Sequence, residues 1–313
     1  MVSKGGIPMY NFIVNPNARS GLGQKVWRKL EAILKEKKID YRVYFTRYQK
    51  DATNITRRIT SGDEEQVVVA LGGDGTVNEV VNGIVNLKKT ILGYIPIGSS
   101  NDFARGLKLP KNPIKALKLI LDKPNLHAMD IGELEYKDKI RRFAVSAGIG
   151  FDADIVHESV VSHLKAFLNK LKLGKLTYVG VAVHRLFLTT PCDITLTVDD
   201  KESITYPKAY FVALMNNKYE GGGAKFAPDA KNDDGKIDAV IAYNMPKLKV
   251  LLMFPTAFLG LHTMFKGICI HRAEKIKLIA QNALPIHTDG EPIFLQKELN
   301  VRCLPEKIRV ITA

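Results

Sequence analysis

The sequence predicts an α/β protein of two domains, an N-terminal doubly wound, Rossmann-like parallel sheet and a C-terminal, mainly antiparallel β-sandwich. Three observations predict it. Up to about Leu126, short apolar runs alternate with amphipathic stretches of helical spacing. Gln66–Leu71 is a continuous, β-branched-rich run, the pattern of a strand covered on both faces. Beyond Leu126, strand-like runs succeed one another without regular crossover helices.

In chain order, Tyr10–Val14 reads as a buried strand ended by Asn15-Pro16. Val26, Leu30, Ile33 and Leu34 then recur at helical spacing. Tyr41–Phe45 is a second strand, Ala52–Ile59 a second helix, Gln66–Leu71 the third strand and Ile91–Ile97 the fourth. The later strands are expected at Ala128–Leu134, Phe143–Ala147, Ile194–Val198, Ala209–Met215, Ile237–Ala242 and Ile276–Ile279. Helices are expected in 153–172 and 175–188 and after Pro246. Domains of residues 1–126 and 127–303 follow, with no low-complexity linker between them.

The chain has 313 residues, and its 46 Lys+Arg against 32 Asp+Glu leave a net charge of +14. That excess calls for an anionic partner: nucleic acid, a phosphorylated ligand or an acidic membrane surface. Cys192, Cys269 and Cys303 are too few and too scattered for a disulfide framework or a zinc pattern, which fits a reducing, cytoplasmic setting. Met1–Gly6 lacks the apolar core of a signal peptide and reads as a short extension. Val250–Leu261 is the most apolar stretch but falls short of the roughly 20 residues a membrane span requires. Interrupted by Pro255, it is expected to be a buried helix, so the chain is expected to be soluble or bound to a surface without crossing it.

Three turns carry the chemistry of the first half. Leu71-Gly72-Gly73-Asp74-Gly75-Thr76-Val77-Asn78-Glu79 takes a buried strand through three glycines into a helix. Glycines admit close backbone approach, and N–H groups at the helix start point towards an anion. Asp74 suits such a place if a metal or a protonated hydroxyl lies between it and phosphate. The alternative is a tight turn with Thr76 as helix cap. Pro96-Ile97-Gly98-Ser99-Ser100-Asn101-Asp102-Phe103-Ala104-Arg105 ends the fourth strand, and Asn15-Pro16-Asn17-Ala18-Arg19-Ser20-Gly21 ends the first. All three lie at the carboxyl edge of one sheet, where open α/β folds bind ligands.

The second half holds two acidic turns. Lys231-Asn-Asp-Asp-Gly-Lys-Ile-Asp238 is an Asx turn or an oxygen-rich cation loop. Asp289-Gly290-Glu291-Pro292 is a hairpin turn, or a pair of carboxylates facing one site. The histidines form no pairing with Ser or Cys that would make a nucleophilic triad. Val160–Thr190 contains Lys165, Lys170, Lys172, Lys175 and Arg185 but no acid. It reads as a basic amphipathic helix on an anionic bilayer or as a solvated face. Nucleic acid is disfavoured, since no binding module or aromatic-studded basic run is present.

The set N-P-x-x-x-x-G, G-G-D-G-T-x-N-E and P-x-G-S-x-N-D-F-A, with the late D-G-E turn, resembles the diacylglycerol kinase catalytic superfamily, which includes soluble bacterial lipid kinases and the sphingosine and ceramide kinases. The glycine box alone is shared with NAD kinases. The resemblance implies an ATP- and Mg²⁺-dependent kinase acting on the hydroxyl of diacylglycerol or a related lipid alcohol, in a cleft between the two domains. It also implies that residues 304–313 return to the first sheet. Carried over by position, Gly72, Gly73, Asp74, Gly75, Thr76, Val77 and Asn78 would hold ATP phosphates. Asn15, Pro16, Asn17, Ala18 and Arg19, with Thr46, Ser99, Asn101 and Asp102, would line the nucleotide site. Asp234 and the carbonyls of Lys231 and Lys236 would hold Mg²⁺. Asp289 would be the base that takes the acceptor proton, with Glu291 supporting it or exchanging roles with it, and Asp74 in the catalytic group. The expected partners are the lipid alcohol and, through Lys165, Lys170, Lys172 and Lys175, the inner membrane surface. A homodimer is compatible with the sequence, which fixes no oligomeric state.

Overall fold

The computed structural model describes residues 9–122, 125–154 and 184–313. The first sheet has six strands in the order β2-β1-β3-β4-β15-β5. These are β1 (Tyr10–Val14), β2 (Tyr41–Phe45), β3 (Gln66–Gly72), β4 (Thr90–Pro96), β5 (Asn125–Met129) and β15 (Ile308–Thr312). Pairing is parallel from β2 through β15, and β5 closes the edge antiparallel to β15. The last strand thus lies in the first sheet, and that sheet continues to Met129, past the change of pattern at Leu126.

Helices α1 (Ala18–Glu36) and α5 (Pro113–Leu121) cover one face of this sheet; α2 (Asp51–Thr60) and α3 (Asp74–Gly83) cover the other. A short α4 (Asp102–Gly106) follows β4. Both faces are packed: Phe12, Trp27 and Leu30 lie in one core and Val68, Val80 and Leu92 in the other. Burial on both sides explains why β3 and β4 read as continuous apolar runs. In register, Val14 pairs Leu71 and Leu71 pairs Ile95. The three strands therefore end level, and their turns emerge side by side.

The second sheet is antiparallel and nine-stranded. Its strands are β6 (Gly132–Tyr136), β7 (Lys139–Phe143), β8 (Ser146–Gly150), β9 (Cys192–Val198), β10 (Ser203–Met215), β11 (Ile237–Tyr243), β12 (Ile268–Ala273), β13 (Lys275–Thr288) and β14 (Glu291–Cys303). The long β10 and β13 each pair with β8 and with β9, which folds the sheet over a core containing Ile149, Leu196, Leu214, Ile241 and Ile286. Two expected strands divide. Ala128–Leu134 is broken at Asp130–Ile131 into β5 and β6, one in each sheet, and Phe143–Ala147 into β7 and β8 at Ala144–Val145. β12 and β14 are strands that the sequence reading did not include; in β14, Gln296, Lys297 and Glu298 interrupt any apolar run. The expected helices 153–172 and 175–188 lie mostly outside the described residues; 151–154 and 184–188 are helical.

The stretch Val250–Leu261 departs from expectation. The helix after Pro246, α6 (Lys247–Met253), passes into 3-10 turns at Phe254–Leu259 and Leu261–Met264. Pro255, without an N–H to continue an α-helix, sits where the winding tightens. Val250, Met253 and Ala257 are buried, whereas Leu252, Phe258, Leu259 and Leu261 face outward. Among the described residues no helix is long and apolar enough to cross a membrane.

Candidate active site

The turns after β1, β3 and β4 surround a cavity of about 460 Å³. Close approach of two backbones makes the cradle. A Cβ on Gly98 would stand 2.7 Å from the Cα of Gly73, so the two turns touch where no side chain fits. The turn after β1 is stretched over its helix by left-handed residues at Arg19, Ser20 and Gly21. Asn15 ties two of the turns together: its side-chain amide donates to the Thr76 hydroxyl at 3.3 Å, and its Oδ1 accepts from the Asn17 N–H.

Asn15, Asn17, Ala18, Arg19 and Thr46 line the cavity, as do Gly73, Gly75, Thr76 and Ser99. Pro16, Gly72, Val77, Asn101 and Asp102 do not. Gly72 is the last residue of β3, and its carbonyl accepts from Ile97. Val77 is fully buried in the core beneath the turn. Asn101 braces the second turn by donating to the Gly98 carbonyl at 2.8 Å.

Asp74 and Asp102 stand behind the turns. Asp74 accepts from the Phe103 N–H at 3.2 Å. Burial, then the neighbouring charge of Asp102, push its pKa up to about 6. Asp102 is buried, held by Arg105 Nε at 3.2 Å and by the Gly222 N–H at 2.7 Å, and burial raises its pKa too. Gly222 belongs to the second half, so its bond to Asp102 also joins the two halves.

The β13–β14 hairpin brings the remaining acids. Asp289 and Gly290 both have positive φ, 47° and 78°, the conformation a two-residue hairpin turn demands. The Asp289 carboxylate is buried and fully bonded. Oδ1 accepts from the Val145 and Ser146 N–H groups at 2.8 and 3.0 Å, and Oδ2 from Ala144 N–H and the Asn78 amide at 2.9 and 2.8 Å. Burial raises its pKa against the opposing pull of these donors. Asn78 therefore serves to hold Asp289 across the junction and does not line the cavity. Glu291 does line it: a Cβ on Gly75 would lie 2.6 Å from its Oε1. Burial raises the Glu291 pKa, with Glu79 adding to the rise.

Several residues here escaped the sequence reading. Arg47, Tyr48, Gln49 and Glu79 line the cavity. Glu79 accepts from the Lys50 and Ala52 N–H groups, fixing the start of α2; its place in the glycine box was the available signal. Behind Asp289, the Ser146 hydroxyl donates to Glu220 at 2.7 Å, and His287 Nε2 lies 2.9 Å from Asp152 and 3.3 Å from Glu220. Burial, then Asp152, raises the Glu220 pKa to about 8. For His287 burial acts downward, but Asp152, Glu220 and Asp289 outweigh it and raise the pKa to about 9. No local motif marks this group, because its members come together only through the β8, β10 and β13 pairing.

The turn Lys231–Lys236 precedes β11. One Asp234 oxygen accepts from the Lys236 N–H at 3.1 Å, and the other lies 4.0 Å from Arg272 Nε. The adjacent buried Asp130 lies 3.0 Å from Lys307 Nζ, which also donates to the Asp233 carbonyl. Arg272 Nε bonds Asp238 more closely, at 2.9 Å, so its charge is shared among the acids of this turn.

The first half, residues 9–134, matches the diacylglycerol kinase catalytic domain, and residues 145–312 match the YegS C-terminal NAD kinase beta sandwich-like domain. The chain belongs to the diacylglycerol kinase family of lipid kinases. Among its relatives is a Bacillus subtilis protein named "Putative lipid kinase YtlR", 30% identical over 307 residues, 96% of this chain and 98% of the relative. A diacylglycerol kinase of Staphylococcus carnosus is 28% identical over 284 residues, 89% of this chain and 87% of the relative. In fold, this lipid-kinase-family chain is similar to a Bacillus anthracis diacylglycerol kinase structure, with a TM-score of 0.72, 22% identity and coverage of 99% and 98%. An Archaeoglobus fulgidus NAD kinase solved with ATP is more distant, with a TM-score of 0.52, 12% identity and coverage of 97% and 94%.

Proposed function

We propose that the protein transfers the γ-phosphate of ATP to the hydroxyl of diacylglycerol or a related lipid alcohol, at the cytoplasmic membrane surface. One observation carries this reading. The glycine turns of the first sheet and the Asp289–Glu291 hairpin of the second meet at a single polar cavity. Backbone N–H groups at the turns and Arg19 suit the phosphates, with ATP entering as its Mg²⁺ complex. Asp74 and Asp102 stand behind the turns that would hold such a complex, and the repulsion that Asp102 exerts on Asp74 is the kind a cation relieves.

Asp289 is the proposed base. Its raised pKa makes it a better proton acceptor than an ordinary aspartate, and Asn78 and three N–H groups fix its direction. Taking a proton at Oδ2 requires one of its two donors there to yield, and the Asn78 amide is the side-chain one. Glu291 lies nearer the nucleotide and supports transfer electrostatically. No step is assigned to an ion at Lys231, Asp234 and Lys236. The basic residues Lys165, Lys170, Lys172 and Lys175, expected to meet the membrane, lie outside the described residues.

The test is labelled-phosphate transfer from ATP to a panel of lipid alcohols in mixed micelles, with NAD as a parallel acceptor. Labelled lipid is the expected product. Labelled NADP without labelled lipid would replace this reading by NAD kinase activity. ATP binding without turnover on any acceptor would replace it by a non-catalytic role.

A further inference from the structure

From Ala239 to Ala273 the chain contains no Asp or Glu, while Lys247, Lys249 and Lys266 lie within it. Its centre is the α6 segment and the two 3-10 turns that follow. One side of this segment is anchored: Val250, Met253 and Ala257 are buried, the first two in a core shared with Phe211 and Ala227. Among the described residues, the other side faces outward. Leu248 is 62% exposed, Leu252 69%, Leu259 68%, Leu261 47% and Met264 80%. An apolar patch of this kind facing water marks an interaction surface.

We infer that the α6 and 3-10 segment, residues 247–264, is the face that inserts into an anionic phospholipid bilayer. Charge selects this occupant. The Lys249 ammonium bonds the Lys266 carbonyl and the Lys247 ammonium the Phe187 carbonyl, which plants positive charge around the apolar patch. Leucine and methionine then enter the acyl boundary while the lysine heads stay with the lipid phosphates. A second copy of the chain is a poor fit, since two such patches would bring basic rim against basic rim. The segment is too short to cross a bilayer, and its broken winding suits a shallow, interfacial depth.

The segment also leads to the cleft. The Lys225 N–H donates to the Ala257 carbonyl at 2.8 Å, and Gly260 packs on Pro228. The same loop reaches Asp102 through the Gly222 N–H. On the lipid-kinase reading, on which this step rests, an acceptor leaves the bilayer beside the catalytic carboxylates. Membrane contact itself does not depend on that reading.

The experiment is flotation of the full chain with phosphatidylglycerol–phosphatidylcholine vesicles and with phosphatidylcholine vesicles. Variants are Leu252→Glu/Leu259→Glu/Met264→Glu and the milder triple alanine. The wild-type chain should float with the anionic vesicles, and the triple glutamate should lose at least about tenfold in partitioning with its melting transition intact. The triple alanine, which adds no charge, should fall between the two. If the triple glutamate partitions like wild type, the inference is overturned. It is also overturned if the patch variants convert a dimer to a monomer in sedimentation and leave flotation unchanged. Turnover of a short-chain acceptor in detergent keeps the two readings apart. Flotation without turnover by the wild type fails only the kinase reading; turnover without flotation fails only this one.

Discussion

The turns that end β3 and β4 and the hairpin that joins β13 to β14 meet at one cavity, yet they build it in opposite ways. The turns work by leaving atoms out: Gly73 and Gly98 approach so closely that a single methyl group would separate them. The hairpin works by side chains, and Asp289 is held by four N–H donors drawn from both halves of the molecule. One half is therefore sensitive to added volume, while the other is sensitive to charge at nearly constant volume. The two kinds of substitution should separate nucleotide binding from phosphoryl transfer.

The largest effect is expected at the hairpin. Asp289→Asn is nearly isosteric and removes the proton acceptor, so kcat should fall by about 10²–10⁴-fold with the KM for ATP little changed. Steady-state kinetics in mixed micelles checks this, and an unchanged kcat would remove Asp289 from the chemistry. Next comes Gly98→Ala. Overpacking of two backbones should cost about 1–3 kcal/mol of stability. ATP affinity should fall as the turns part, while turnover at saturating ATP survives. Denaturant unfolding and ATP titration together read both effects.

The same contrast explains what the sequence could disclose. The glycine turns were legible because sterics leave only glycine at their contacts, so the requirement is written into adjacent residues. The level ends of β1, β3 and β4 follow from three continuous apolar runs. Asp289 and Glu291 stood out as a pair, but the sequence could not tell which of them faces the cavity. That depends on the β13–β14 register, which places Thr288 opposite Glu291 and turns Asp289 towards Ser146. The cluster of Asp152, Glu220 and His287 was hidden for the same reason, being assembled from three separate strands and loops. Val250–Leu261 misled because apolar composition was read as burial, whereas Pro255 and the turn geometry leave half of it outside.

A smaller effect tests whether charge repulsion is stored on the nucleotide side as well. The Asp74 pKa is raised from 3.8 to about 6, chiefly by burial and then by Asp102. A raised carboxyl pKa means that the folded state binds the proton more tightly than the unfolded chain. The contribution of Asp74 to stability is therefore greatest below the unfolded pKa and declines as pH rises through about 6. Asp74→Asn should be more stable than wild type above that window, by about 3 kcal/mol, and the difference should vanish as pH falls below it. Urea unfolding across pH measures it. Activity should fall in the same variant, so stability and function would move in opposite directions at one residue.

The smallest effect belongs to a position outside both regions and gives the comparison its baseline. Asn112 caps α5, its Oδ1 accepting from the Ile114 and Lys115 N–H groups at 2.9 and 3.1 Å. Asn112→Ala leaves those donors to water and should cost about 1 kcal/mol. α5 packs on the face of the first sheet opposite α3 and contributes no residue to the cavity. The loss should appear in unfolding midpoints alone, with kcat and the KM for ATP unchanged below the transition. If Asn112→Ala instead weakens ATP binding as Gly98→Ala does, the turns respond to the stability of the whole sheet, and the local steric argument for Gly73 and Gly98 fails. If only Gly98→Ala weakens it, the contact between the two backbones is what sets the nucleotide site.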